Sequence, residues 1–437
     1  MKQFSIKQLL LLLIVTLSGV IWSVLFQQPL VIGFLPGYIL LVILSLLKKE
    51  RIKHVFHISL KGVYKTRIVI LILFLVSFLL PSWYLSGTID QMVKITLYLI
   101  NPNYFFVLTF VAAMVFSMLL GTTVGTLSSI GIPILGTAAV LNLPTEVVAG
   151  ALVSGAFVGD RTSPFSSAHQ LLAHTVEIPV KKLWNAMLFT TLVAVGMCFL
   201  FYGSFDILSD VPLVHTEALR WSDLLLLKFI PPFILLLLVL FRFSIIYAFL
   251  SSILSAGIIS LIKGVALVEI VRAYWNGIEG LGGGFIHMYE LLLFLALAGA
   301  YNGLLEELNV IQPYLDKWLQ SSTTLTDDTL KTFAATLLIS FIAANQTLPI
   351  ILTGRSFLPH WSSKYGKEEL ARVMGDTTML FPGMVPWSVL AIMCSTIVGI
   401  PIFEYLPYAI FLWLLPLLTI IVSFFKHVKK SRGLVTA

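Results

Sequence analysis

The sequence predicts an all-α polytopic membrane protein with inverted structural repeats that contain broken helices or re-entrant hairpins. Of its 437 residues, 58% are hydrophobic and only 11% are charged, and the mean hydropathy is +0.97. Apolar runs long enough to cross a bilayer recur along the chain, and short polar stretches interrupt several of them. Since a helical span needs about 20 apolar residues, we expect roughly 10–12 transmembrane segments.

The uninterrupted apolar runs predict the individual spans. In chain order they are Leu9–Phe26, Leu30–Leu47, Ile68–Leu85, Tyr104–Leu120, Asn185–Phe205, Leu224–Phe241, Phe243–Ile262, Tyr289–Leu305 and Tyr405–Phe425. The first run lacks a small-residue cleavage site and a second run follows at once, so we interpret it as a retained helix. Lys263–Gly284 is amphipathic and rich in glycine, which places it outside the membrane or at its interface.

Basic residues mark the side of the membrane on which each connection lies. The segment Lys48–Arg67 carries seven Lys or Arg against the single Glu50. Short connections rich in Lys and Arg stay in the cytoplasm. We therefore expect this segment, Lys181-Lys182, the tail Lys426–Arg432 and both termini to be cytoplasmic, and Asp206–Asp223 to be external. The net charge of +7 is then an orientation signal in a bacterial-type plasma membrane, not a sign of nucleic-acid binding.

Two polar stretches that each contain an aspartate interrupt the apolar pattern, namely Gly159–Pro164 and Gly375–Thr378. Pro164 removes a backbone donor, and a charged residue at membrane depth is costly unless protein or water surrounds it. Each stretch is therefore expected to break a helix. Two further interruptions, Gly121–Pro133 and Asn345–Pro349, precede them in the same order.

This repeated order predicts a duplication. The first copy covers 68–184 and the second covers 287–404, with N-terminal helices and the basic loop in 1–67, connecting spans in 185–286, and the last span with its tail in 405–437. The first copy starts and ends beside cytoplasmic charges, whereas the second starts outside, so the copies are inverted. Inverted repeats with paired broken helices are typical of secondary transporters, whose site lies where the half-helix ends meet.

Asp160 and Asp376 are the candidate coupling residues, because a carboxylate in a low-dielectric site can hold either a proton or a cation such as Na⁺. The alternative is that each caps a half-helix or pairs with a nearby arginine. Hydroxyl and amide groups at the interruptions are candidate cation ligands, although each could equally form a helix-to-helix hydrogen bond. They are Thr123, Thr126, Thr162, Ser163, Ser166, Asn345, Thr347, Thr377 and Thr378.

Other charged residues receive structural or open interpretations. Arg161 is interpreted as a local partner of Asp160, and Arg355 as orienting the second broken hairpin through a planar fork that lysine does not reproduce. Glu306-Glu307 is either a proton relay or a helix end. The pairs His169/His174 and His54/His57 lack a third ligand at metal-site spacing. No resident cofactor is expected.

Two other classes of function are compatible with broken helices. A channel would line a pore with the same elements, and saturable, exchange-coupled flux distinguishes a carrier from it. An intramembrane enzyme is disfavoured, because the sequence contains no HExxH, GxSxG or Cys/His dyad. We therefore predict a transporter and not an enzyme.

The motifs from about Gly87 to Trp387 resemble those of the NhaC family of Na⁺/H⁺ antiporters. They are Gly87-Thr88-Ile89, Asn101-Pro102, Gly121–Thr126, Gly159-Asp160 with Ser163-Pro164 and Ser166, Ile350–Arg355, Leu370-Ala371-Arg372, and Asp376 with Pro386-Trp387. The resemblance implies a secondary carrier that exchanges Na⁺ for H⁺ or couples that exchange to small organic acids. The resemblance is compatible with a monomer or a homodimer.

The chain departs from the family pattern at three acidic positions, which here are Ser167, Gly375 and Asn345. Asp160 and Asp376 remain, so their share of the coupling is larger. We expect both carboxylates to form one coupling site contributed by the two copies.

Overall fold

A computed structural model describes residues 4–99, 101–209, 226–279 and 283–431, and within these ranges the regular structure is helical. Seven of the described helices are long and apolar enough to cross a membrane, or up to nine if each of two bent pairs is one span. The shorter apolar helices Phe105–Leu120 and Leu226–Leu240 bring the total into the expected range of roughly 10–12. The predicted polytopic helical class is confirmed.

The amino-terminal third begins with α1 (Ile6–Leu25) and α2 (Leu30–Leu47), followed by α3 (Ile52–Ser86) and α4 (Thr88–Leu99). The predicted loop Lys48–Arg67 is wrong in its conformation, because α3 begins at Ile52 and runs for 35 residues. A helix needs only about 20 residues to cross a bilayer. The basic residues therefore lie on a helical extension of the span.

The first copy continues with α5 (Phe105–Leu120), α6 (Thr123–Thr126), α7 (Ile132–Val140), α8 (Thr145–Thr162), α9 (Ser167–Thr175) and α10 (Val180–Leu208). A π-helical turn, Leu127–Gly131, joins α6 to α7 without a break. The predicted interruption Gly121–Pro133 therefore extends too far, because the chain leaves the helical conformation only at Gly121-Thr122. Pro133 lies directly after the π-helical turn, where the regular α-helical hydrogen-bond pattern is already interrupted.

The connecting region contains α11 (Ile230–Leu240), α12 (Ile245–Ile262) and α13 (Leu267–Asn276). The Trp83 Nε1 group donates to Ser252 Oγ at 3.0 Å and attaches α12 to α3. The part of the predicted external segment from 210 to 223 lies outside the described residues. Asp206, the first residue of the whole predicted segment, accepts hydrogen bonds from the Phe106 and Val107 amides and thereby caps α5.

The second copy and the closing span follow. Their helices are α14 (Tyr289–Glu307), α15 (Gln312–Trp318), α16 (Leu325–Ala343), α17 (Thr347–Lys364), α18 (Lys367–Asp376), α19 (Phe381–Met384), α20 (Val389–Val398), α21 (Ile402–Tyr405) and α22 (Ile410–Ser431). The order repeats that of α3 to α10. The contacts repeat as well, since α10 packs on α18 while α22 packs on α8, and α9 packs on α17 while α20 packs on α6 and α7.

Four short breaks interrupt the helices of the two copies, and we name them in chain order. Break A is Gly121-Thr122, break B is 163–166, break C is 344–346 and break D is 377–380. Break A begins at Gly121 and break C begins at Ala344, and both residues have a left-handed backbone conformation. Break B follows α8 and break D follows α18.

Glycines allow α5 and α8 to pack closely. A Cβ atom added at Gly155 would lie 2.5 Å from the Phe110 carbonyl oxygen, a distance that the two helix backbones do not permit without moving apart. This contact holds α8, and thus break B, against the helix that leads to break A.

We expect Gly155→Ala to destabilise the protein, because forcing extra volume into a packed interface costs about 1–3 kcal/mol. The measurement is the midpoint of thermal unfolding in detergent. Gly196→Ala is the matched control, since a Cβ there meets nothing within 4 Å. An equal fall in both midpoints would contradict the packing argument.

Candidate ion-coupling site

Break B begins later than predicted. Helix α8 continues through Gly159, Asp160 and Arg161 to Thr162, and Ser163 is the first extended residue, with φ −66° and ψ 132°. Pro164 is the cause, because the residue before a proline is driven out of the helical region. Gly159 lies within the helix and allows close packing, since a Cβ there would lie 2.1 Å from the Ser117 carbonyl carbon.

Break D also begins later than predicted. Helix α18 continues through Gly375 and ends at Asp376, and Thr377 leaves the helical conformation with φ −125° and ψ −70°. A bend of 58° follows after α19, between Lys367–Met384 and Val389–Val398. Gly375 again allows close packing, because a Cβ there would lie 2.2 Å from Met187 Sδ on α10.

The helix ends at breaks A and C are capped by residues that follow α8 and α19, respectively. Ser163 Oγ donates to the Met118 carbonyl oxygen at 2.8 Å. In the second copy, Trp387 Nε1 donates to the Phe341 carbonyl oxygen at 2.9 Å and the Val389 amide donates to Ala344 at 2.8 Å. The residues after each aspartate therefore satisfy carbonyls that would otherwise lack partners at membrane depth.

Asp160 lies where all four breaks converge. Its side chain is buried, with a relative exposure of 8%. Ser166 Oγ in break B lies 3.5 Å from Oδ1, Gln346 Nε2 in break C lies 3.4 Å from Oδ2, and the Thr123 backbone beside break A also faces the carboxylate. Gln346 donates in turn to the Met379 carbonyl oxygen in break D at 2.9 Å. Within the described residues, Asp160 has neutral neighbours and no ion pair.

Asp376 has a different environment, because it forms an ion pair with Arg161. Both side chains are fully buried, and Arg161 Nη2 contacts Asp376 Oδ1 directly. Arg161 Nε donates to the Gly375 carbonyl oxygen at 2.9 Å, and Thr190 Oγ1 donates to the same Asp376 oxygen at 3.0 Å. The pair therefore links α8 of the first copy to α18 of the second.

The interpretation of Arg161 as a partner of Asp160 is wrong. Consecutive residues of an α-helix point about 100° apart, since a turn takes 3.6 residues. Asp160 consequently faces breaks A and C, while Arg161 faces α10 and α18.

Four of the eight predicted hydroxyl ligands donate to backbone carbonyls. Thr126 bonds to Thr122, Thr162 to Val158, Ser163 to Met118 and Thr377 to Val373, and the Asn345 side chain accepts from the Leu348 amide. Two buried hydroxyls differ. Thr123 Oγ1 and Thr378 Oγ1 have no hydrogen-bond partner within the described residues. Thr347 is exposed.

The remaining candidates lie away from Asp160 or have other contacts. Arg355 is exposed and makes no hydrogen bond or ion pair to the described part of the chain, so the contact expected to orient the second broken hairpin is missing. Glu306 and Glu307 lie at the end of α14 and pair with Lys65 and Lys61. Within the described residues, no group of three or more His, Cys, Asp or Glu side chains is arranged to hold a metal ion.

Sequence reasoning missed Gln346 and Thr190. Gln346 stood inside a predicted interruption between two candidate ligands, and its polarity at membrane depth was an available signal. Thr190 lies in an otherwise apolar span, where a threonine commonly bonds to its own helix. Only the packing of α10 against α18 shows that its hydroxyl reaches Asp376.

This arrangement can exchange a proton for a cation at Asp160. Hard cations bind carboxylate, hydroxyl and carbonyl oxygens. The free Thr123 and Thr378 oxygens belong to residues at breaks A and D, the breaks that converge on this carboxylate.

Comparisons with known proteins identify the family of the chain. The sequence model of the Na⁺/H⁺ antiporter family matches residues 181–427. The Na⁺/H⁺ antiporter NhaC of Bacillus subtilis is 26% identical, and the alignment covers 82% of this chain and 84% of the relative. NhaC of Alkalihalophilus pseudofirmus is 25% identical, and the alignment covers 81% of this chain and 81% of the relative. The malate-2H⁺/Na⁺-lactate antiporter of B. subtilis is 26% identical, covering 79% of this chain and 78% of the relative. Since the family model spans more than half of its length, the chain belongs to the Na⁺/H⁺ antiporter family.

Proposed function

We propose that the protein is a secondary transporter that exchanges cytoplasmic Na⁺ for external H⁺ at Asp160. The observation that carries the proposal is a buried carboxylate with neutral partners at the point where four helix breaks converge. Such a group is costly as a bare anion, so it takes up either a proton or a cation. Membership of the family and the names of two relatives support the choice of ions.

The two predicted coupling carboxylates have different roles in this proposal. Asp376 already has Arg161 as a counter-ion, so its charge is compensated without Na⁺ or H⁺. It holds break D in position and aligns Thr378 toward the site. Asp160 has no such counter-ion in the described chain and carries the exchange.

The repeated helix order supports alternating access by two inverted copies, 68–184 and 287–404. In each copy a helix ends at a left-handed residue, and a second helix ends at an aspartate-bearing break. Such paired broken helices place an ion site between the copies, which can then expose it to one side or the other. A strict requirement for an organic acid is less compatible with this site, because the buried Arg161 is occupied by Asp376.

We expect Asp160→Asn to abolish Na⁺-driven proton movement, since an amide does not titrate, and Asp160→Glu to keep part of it with altered apparent affinity. The assay records the internal pH of everted vesicles after Na⁺ addition. In the unmodified protein, the Na⁺ concentration for half-maximal flux should rise as pH falls, because protons compete for the carboxylate.

Asp206→Asn is the control for that prediction. Asp206 is equally buried, at 8% exposure, but caps α5 away from the site. Near-normal exchange by Asp160→Asn, inserted in normal amount, would exclude Asp160 as the coupling residue.

Arg161→Lys should reduce exchange by about tenfold or more, because lysine does not reach the Gly375 carbonyl and Asp376 together in the geometry of the guanidinium fork. Arg355→Lys, at an exposed arginine without a partner in the described chain, should leave exchange nearly unchanged. Vesicle flux normalised to protein amount measures both. Equal losses would mean that the buried pair has no special role.

A double variant tests whether Asp376 only positions break D. Removing one member of a buried ion pair strands a charge, whereas neutralising both is far better tolerated. Arg161→Gln with Asp376→Asn should therefore recover flux relative to Asp376→Asn alone. Complete loss in the double variant, with normal insertion, would instead assign Asp376 a direct coupling role.

We also propose that both termini and the basic extension of α3 are cytoplasmic, with the connection after α10 outside. Single cysteines introduced at Lys53 and Ser209 should be labelled by a membrane-impermeant thiol reagent from opposite sides. Lys53→Cys should react in everted vesicles and Ser209→Cys in intact cells. Labelling of Lys53→Cys in intact cells would reverse the proposed orientation.

A further inference from the structure

A second polar region lies beside break C, outside the Asp160 site itself. A cavity of about 360 Å³ separates α3 and α14 from the start of α17. Its polar lining includes Lys65, Asn302, Glu306, Asn345 and Thr347. The first three belong to the helices α3 and α14, and the last two flank Gln346, which contacts Asp160.

An ion pair stands at the mouth of this cavity. Lys65 Nζ lies 2.8 Å from Glu306 Oε2, and the two side chains are 50% and 42% exposed. Exposed pairs of this kind stabilise a fold by about 0–1 kcal/mol. The pair therefore does little for stability, but it sets the charge met by an ion entering the cavity.

A nearly identical pair beside it does not line the cavity. Lys61 Nζ lies 3.1 Å from Glu307 Oε2, with side-chain exposures of 51% and 43%. Lys61 is one helical turn before Lys65, and Glu307 follows Glu306. Neither residue belongs to the cavity lining. The chain thus contains two pairs of the same chemistry and exposure, which differ in access to the cavity.

Asn302 is a further polar residue of the cavity lining. Its Oδ1 atom is covered by protein and has no hydrogen-bond partner within the described residues. A buried amide oxygen without a partner costs free energy unless water or an ion meets it. Near Asn302, α3 and α14 touch tightly, since a Cβ at Gly62 would lie 2.2 Å from the Gly299 carbonyl oxygen. The Asn302 side chain therefore lies between the cavity and closely packed helices.

Break C connects the cavity to the surroundings of the coupling carboxylate, because Asn345 and Thr347 line the cavity and Gln346 between them contacts Asp160. Asn345 Oδ1 accepts from the Leu348 amide at 2.9 Å and fixes the start of α17. The next residue, Gln346, places Nε2 3.4 Å from Asp160 Oδ2. Polar groups consequently extend from Glu306 through Asn302 and break C to Asp160.

We propose that this cavity is the vestibule through which the transported cation reaches Asp160, and that the Lys65–Glu306 pair controls cation entry at its mouth. Glu306 attracts the cation, Lys65 limits that attraction so that the ion passes on, and Asn302 supplies a polar wall on the way. The inference rests on the proposed function. It adds a route and three residues that act before coupling.

Charge-neutral variants of the two pairs test the gate in everted vesicles, where the cytoplasmic face is outside. Glu306→Gln should raise, and Lys65→Gln lower, the Na⁺ concentration for half-maximal flux by about 2- to 5-fold, as follows from about 0.5–1 kcal/mol. Maximal flux at saturating Na⁺ should stay unchanged, which separates entry from coupling and from folding. Glu307→Gln and Lys61→Gln should leave both quantities within twofold of the unmodified protein.

Equal shifts of the half-maximal Na⁺ concentration for the two pairs would show only a general effect of surface charge. That result would refute control of cation entry by Lys65 and Glu306. A fall in maximal flux for Glu306→Gln at normal protein amount would also overturn it, because the residue would then act in the exchange step. Absence of Na⁺-driven flux in the unmodified protein would refute the proposed function instead. The route then depends on the second experiment.

That experiment measures water access independently of the transported ion. Asn302→Cys is placed in a background with Cys198 and Cys394 changed to Ala and is treated with a membrane-impermeant thiol reagent. We expect labelling in everted vesicles and none in intact cells. Leu295→Cys, on the same helix but fully buried, is the control that should stay unlabelled. Failure to label Asn302→Cys from the cytoplasmic side would rule out the vestibule.

Discussion

The buried ion pair between Arg161 and Asp376 is the contact on which the geometry of the site depends. It joins the last turn of α8 to the last residue of α18, so it fixes the ends of two broken helices that come from different copies. Breaking such a pair costs about 3–5 kcal/mol because one charge is left uncompensated. The pair therefore couples the positions of the two helix ends.

This pair also leaves Asp160 without a counter-ion. Arg161 is next to Asp160 in the sequence, yet its guanidinium bonds to Gly375, Asp376 and α10. If Arg161 paired with Asp160 instead, Asp376 would lose its counter-ion and Asp160 would have a permanently positive partner. Cations would then be repelled. The direction in which one arginine points thus separates a structural carboxylate from one that can bind a cation.

The sequence was sufficient for the class, for the repeated order of elements and for the two aspartate-bearing breaks, because apolar length, proline and intramembrane charge act locally. It was insufficient to predict which side chains contact each other. The positions of Gln346 and Thr190 beside the two aspartates follow from packing across more than 180 residues of chain. Gly159 and Gly375 illustrate the same limit, since their role is to admit Ser117 and Met187, residues that no local pattern indicates.

The cost of burying Asp160 also explains why exchange should be coupled. A carrier must move its site across the apolar barrier, and a bare carboxylate at that depth is unfavourable by several kcal/mol. Protonated or Na⁺-bound Asp160 avoids most of that cost, so those two forms cross and the empty anion does not. Under the proposed function, net movement of Na⁺ in one direction then requires that the site return with a proton. Obligatory exchange follows from desolvation of one carboxylate, provided that Arg161 remains bound to Asp376.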